Sequence, residues 1–131
     1  MNIEELKQQY RGTTLPKLVE KQINSLKENV LQNAIQGTYE NFPREHRQKI
    51  DEFTLAYAQN WFNPSIRESD LSDVFTQAIK DIEVMAKQEG MSLNQDQTFD
   101  VFNIIVMRVS FFAHSKPEFR KMLGIKKGWF S

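Results

Sequence analysis

Signals that start and stop helices divide almost the whole chain into segments whose apolar residues recur every three or four positions. Gly12, Asn63-Pro64, Gly90 and Gly124 stand where such segments end. No segment has the alternating apolar pattern of a β-strand. The sequence therefore predicts an all-α protein, a compact bundle of five to six helices in which residues 1–131 form a single domain.

Six helices follow from these signals. Ser69 is expected to cap the fourth helix, and either Ser92 or Asn94 the fifth. Residues 65–68 are predicted to form only a short capped turn between the third and fourth helices. The predicted helices cover about residues 3–10, 15–40, 44–62, 70–89, 95–114 and 117–123.

The fifth predicted helix, about 95–114, is apolar around most of its circumference. At 100° per residue, its apolar side chains cover an arc of about 240°, which only Arg108 interrupts. A surface helix normally buries a narrower stripe, so this helix either lies near the centre of its own bundle or presents one face to a partner. In the second case, the edge of the arc is the natural seam of a homodimer, formed by Ile104, Met107, Arg108 and Phe111.

The third predicted helix also has a broad apolar face. Phe53, Tyr57 and Trp61 lie along one edge of a face about 200° wide. The second and fourth helices each carry a single stripe about 140° wide, as expected for helices that bury one side only.

The sequence contains few residues arranged for catalysis or metal binding. There is no cysteine, which excludes thiolate catalysis and zinc sites built on sulfur. No glutamate lies three residues before His46 or His114, so the Glu-x-x-His ligands of a two-metal bundle are missing. Ser110 lies four residues before His114, but its hydroxyl is expected to bond the carbonyl group of Val106. We therefore predict a non-enzymatic protein with no catalytic residues, no cofactor and no metal.

Charge is balanced overall but unevenly distributed along the chain. Residues 66–100 carry 3 basic and 8 acidic side chains, whereas residues 101–131 carry 6 basic and 1 acidic. The C-terminal tail, about 116–131, mixes cations with aromatic rings. Such a tail can cover an apolar groove while its lysines stay in water, or bind a nucleic acid through charge and stacking. The residues concerned are Arg120, Lys121, Lys126, Lys127, Trp129 and Phe130.

These patterns predict a protein-interaction or regulatory protein that works through its helix faces as a homodimer. Nucleic-acid binding through the basic, aromatic tail is the alternative. The first residues lack the charged start and apolar block of a secretory signal. The most apolar run, residues 101–113, is too short to cross a bilayer. A cytoplasmic protein with no membrane span is therefore expected.

Overall fold

A computed structural model describes residues 1–22 and 29–124. Within these residues the chain forms eight α-helices and no strand, which confirms the all-α prediction. Short connections join most of the helices. In chain order they are α1 (Ile3–Tyr10), α2 (Leu15–Lys21), α3 (Val30–Glu40), α4 (Arg44–Asn60), α5 (Pro64–Arg67), α6 (Leu71–Gln88), α7 (Gln95–Ser115) and α8 (Pro117–Leu123).

The predicted count of five to six helices is wrong, and two local features explain the difference. The second predicted helix is not continuous, because α2 ends at Lys21 and Asn29, just before α3, has a φ of 60°. A left-handed residue cannot lie inside a right-handed helix, and asparagine tolerates that conformation better than most residues do. The predicted turn at 65–68 is instead the short helix α5, whose cap is the side chain of Asn63.

Caps fix the starts of the two longest helices. The Asp70 side chain accepts a hydrogen bond from the backbone N–H of Ser72 at 2.8 Å, so Asp70, rather than the predicted Ser69, caps α6. Asn94 and Gln97 form a reciprocal capping box at the start of α7. Asp70 also accepts a bond from the backbone N–H of Gly12 at 2.7 Å. This contact ties the loop after α1 to the start of α6.

The helix α7 packs against five others, namely α2, α3, α4, α6 and α8. Its side chains are buried on most sides, including Val101, Phe102, Ile104, Ile105 and Val109. Much of the apolar arc predicted from the sequence is therefore covered by helices of the same chain. No helix in the described residues is long and apolar enough to cross a membrane.

An aromatic cluster joins α7 to the two helices beside it. The ring of Phe75 on α6 lies 4.8 Å from that of Phe102 on α7 and 5.1 Å from that of Trp61, which directly follows α4. All three side chains are buried. The cluster fixes α4 and α6 side by side on α7, because each helix contributes a large ring to the same contact.

Candidate functional site

A metal or nucleophile site is not apparent among the described residues. They contain no group of three His, Cys, Asp or Glu side chains placed to hold a metal ion. Ser110 is fully buried, and its hydroxyl lies 3.1 Å from the Val106 carbonyl oxygen, as predicted, and also contacts the side chain of Gln22. His46 lies in the first turn of α4 and His114 in the last turn of α7.

The four residues of the predicted dimer seam do not share one exposed surface. Ile104 is fully buried inside the protomer, and Met107 is half-buried. Phe111 is 38% exposed. Two of these four side chains therefore present apolar area at the surface of the protomer.

Arg108, the fourth of these residues, forms a polar cluster with α4. Its guanidinium group donates to the Asp51 carboxylate at 2.6 Å, to the Asp51 carbonyl oxygen at 3.1 Å and to the hydroxyl of Thr54. The Arg108 side chain is 12% exposed, and Thr54 is fully buried. Arg108 thus satisfies polar groups within the protomer where its helix crosses α4.

A concave surface lies between α4 and α6, and we call it the α4–α6 groove. It holds two cavities, of about 550 and 280 Å³. Phe53 and Met85 line the larger cavity, and Trp61 and Ile66 line the smaller one. The groove is therefore an open surface, and its smaller cavity adjoins the aromatic cluster through Trp61.

A tyrosine and a carboxylate meet where the two cavities adjoin. Tyr57 on α4 donates a hydrogen bond to the carboxylate of Asp81 on α6, and both residues line both cavities. Gln77 donates to the other carboxylate oxygen of Asp81 at 2.9 Å. Burial, and then the hydrogen bond to Asp81, raises the pKa of Tyr57 well above its usual value of 10.0. Tyr57 therefore stays a neutral donor at physiological pH.

Exposed apolar surface and an ion pair mark the far end of the larger cavity. Val84 on α6 lines it and is 53% exposed. Lys49 lies 3.4 Å from the carboxylate of Glu89 and also donates to its carbonyl oxygen at 3.2 Å. This contact links α4 to the residue that directly follows α6, so polar contacts connect the two helices at both ends of the larger cavity.

A second cleft, of about 530 Å³, lies on the opposite side of α6, between α1 and the start of α7. Ile3, Met91 and Phe99 give it apolar surface. Glu83 and Lys87 supply charges of opposite sign on one helix, four residues apart, so their fields largely cancel. Glu83 therefore lies in this cleft and not in the lining of the α4–α6 groove.

The described part of the predicted tail packs on the bundle as α8. The ring of Phe119 stacks on that of Phe62 at 4.1 Å, and the ammonium group of Lys116 lies 5.0 Å from the centre of the Phe112 ring. Arg120 and Lys121 lie in the last turn of α8. The other predicted tail residues, Lys126, Lys127, Trp129 and Phe130, lie outside the described residues.

The sequence contained partial signals for the groove. Val84 lies off the apolar stripe of its helix, and Phe53 and Tyr57 lie along the edge of a broad face of α4. Neither signal shows which helix lies opposite, so the groove itself could not be predicted. Comparison with family models, curated proteins and solved structures finds no match to the chain.

Proposed function

We propose that this chain is a non-enzymatic protein-interaction protein that binds an amphipathic helix of a partner in the α4–α6 groove. One observation carries the proposal, namely an open groove with exposed apolar surface between two helices that a shared aromatic cluster holds in place. Apolar grooves between helices are a common way to bind the apolar face of a partner helix.

The dimensions of the groove suit such a ligand. It follows α6 from Val74 to Glu89, a length of about 22 Å at 1.5 Å per residue, which corresponds to about four helical turns. The apolar face of a partner helix, with side chains at positions i, i+4 and i+7, would contact Val84, Phe53 and Tyr57. The surrounding polar residues resemble the rim of a protein interface, where an apolar centre is bordered by hydrated groups.

A peptide-display selection tests this proposal directly. Random peptides of about 15 residues are selected on the wild-type protein, and the selected pool is then compared on Val84→Asp and Val30→Asp variants. Val30, on α3, is 50% exposed and lies away from the groove, so it is a matched control for Val84. We expect peptides that bind the wild type and Val30→Asp but not Val84→Asp. If no peptide is enriched, or if the enriched peptides bind both variants equally, the proposal is wrong.

The two functions predicted from the sequence stay predictions. Self-association through the seam would rest on Met107 and Phe111, since Ile104 and Arg108 are engaged inside the protomer. Nucleic-acid binding would rest on Arg120 and Lys121 together with residues outside the described part of the chain.

A further inference from the structure

We propose that the α4–α6 groove selects basic amphipathic segments, and that the carboxylate of Asp81 binds a lysine or arginine side chain of the partner. This inference rests on the proposed function and adds the chemistry of the ligand. It is drawn from the charges along the groove, from the partners of Asp81 and from the rings beside it.

The charged residues that line the groove leave an excess of negative charge. Glu52, Asp81 and Glu89 are the acids in its lining, and Lys49 is the single cation in the lining of the two cavities. The ammonium group of Lys49 already pairs with Glu89. Two carboxylates therefore remain, one on α4 and one on α6, and both would repel an acidic segment and attract a basic one.

Asp81 lies where the two cavities adjoin, and its hydrogen-bond partners are neutral. It is half-buried and accepts hydrogen bonds from the phenol of Tyr57 and the amide of Gln77. Among the described residues no cation lies within salt-bridge distance of its carboxylate. A carboxylate oxygen can accept more than one hydrogen bond, so a cation can bind Asp81 without displacing both neutral donors. Such a bond, with both groups charged and partly shielded from water, is stronger than a neutral one.

The rings beside Asp81 suit the rest of a basic side chain. The ring centres of Phe53 and Tyr57 are 5.2 Å apart, and those of Tyr57 and Trp61 are 5.7 Å apart. These rings form a row along the α4 side of the groove. The aliphatic stem of a lysine or arginine can pack on such a row while its charged group reaches a carboxylate, and a cation also gains from lying over an aromatic face.

Two synthetic peptides and two variants test the inference. The first peptide, of about 15 residues, repeats leucine and lysine so that one helix face is apolar. The second has glutamate in place of every lysine. Binding is measured by fluorescence anisotropy to the full chain, to Asp81→Asn and to Glu83→Gln. Asparagine keeps the size of Asp81 and can still accept a hydrogen bond from Tyr57. Glu83→Gln is the control, because Glu83 is an exposed acid on the same helix but lines the other cleft.

We expect the lysine peptide to bind the wild type and the glutamate peptide not to bind. Asp81→Asn should lower the affinity for the lysine peptide about tenfold, the factor expected for one charge-assisted hydrogen bond. Glu83→Gln should change that affinity less than about twofold. Raising the salt concentration from about 50 to about 300 mM should lower the affinity of the wild type for the lysine peptide more than it lowers that of Asp81→Asn. Thermal melting of both variants establishes that they are folded.

Several outcomes would overturn the inference. Equal affinity for the two peptides, or equal effects of the two substitutions, would show that Asp81 does not select a cation. If Asp81 does not select a cation but Val84→Asp still abolishes binding of the display-selected peptides, the inference about charge is wrong and the proposed function still stands. Binding of the lysine peptide only after removal of residues 125–131 would mean that the chain's own C-terminal segment is the occupant. Dimers that Val84→Asp dissociates would identify a second copy instead.

Discussion

Replacing Arg108 with methionine tests whether this residue serves the fold or an interface. Methionine keeps much of the apolar stem but removes all three hydrogen bonds to Asp51 and Thr54. A hydrogen bond to a charged group contributes about 1.5–3 kcal/mol, and an exposed ion pair only about 0.2–1 kcal/mol. Asp51 is 39% exposed, so its pair with Arg108 lies between these limits. The Thr54 hydroxyl loses one partner but keeps a bond to the Asp51 carbonyl oxygen at 3.2 Å.

The expected cost of Arg108→Met is therefore about 2–3 kcal/mol of unfolding free energy. For a chain of this length that corresponds to a fall of roughly 10 °C in melting temperature. Urea denaturation followed by circular dichroism measures the cost. Arg44→Met is the control, because Arg44 is an exposed arginine at the start of α4, and its replacement should cost less than about 0.5 kcal/mol.

A double-mutant cycle with Asp51→Asn isolates the ion pair and should give a coupling energy of about 1–2 kcal/mol. Removing Arg108 should not change how the unfolding midpoint depends on protein concentration, since all its bonds lie within one protomer. A coupling energy near zero would refute this reasoning. A midpoint that rises with protein concentration only while Arg108 is present would also refute it, and would show that Arg108 contributes to an interface.

Three further substitutions test other parts of the structure. Phe102→Ala should cost about 3–5 kcal/mol in urea denaturation, because it removes a buried ring from the aromatic cluster, and a cost below about 1 kcal/mol would contradict that packing. The hydrogen bond from Ser72 holds the pKa of Asp70 below its usual 3.8, so its stabilisation is complete above that pH and lost as the pH falls further. Asp70→Asn should therefore lower the melting temperature at pH 7, and this difference should shrink as the pH falls below 3.8. Burial raises the pKa of Asp100, so its charge opposes folding at neutral pH. Asp100→Asn should raise the melting temperature at pH 7, and the gain should vanish below about pH 3.8.

The helices that the sequence predicted best are those with local signals at both ends. The predicted range 95–114 agrees closely with Gln95–Ser115, because Asn94 caps its start and Pro117 follows its end. The second predicted helix failed since neither glycine nor proline marks the interruption. Asn29 instead adopts its left-handed conformation without any residue pattern that requires it.

The groove and the Arg108 cluster could not be predicted, because both depend on which helices are neighbours. Arg108 and Asp51 are 57 residues apart, and Tyr57 and Asp81 are 24 apart. The periodicity of a helix shows which side is apolar but not which helix covers it. For the same reason the sequence left two interpretations of the broad face of the fifth predicted helix, whereas the packing of α7 against five neighbours accounts for most of it.

The central position of α7 has a consequence for synthesis on the ribosome. Translation proceeds from the N-terminus, so α1 to α6 emerge before the helix against which α2, α3, α4 and α6 pack. Until residues 95–115 leave the exit tunnel, the apolar stripes of these helices lack that shared partner, and the helices can form only pairs that do not involve α7, such as α1 with α6. The nascent chain thus exposes most apolar surface late in its synthesis, and that stage is when it most needs protection by chaperones. Protease digestion of chains stalled before and after α7 would reveal the transition as a sharp gain in resistance.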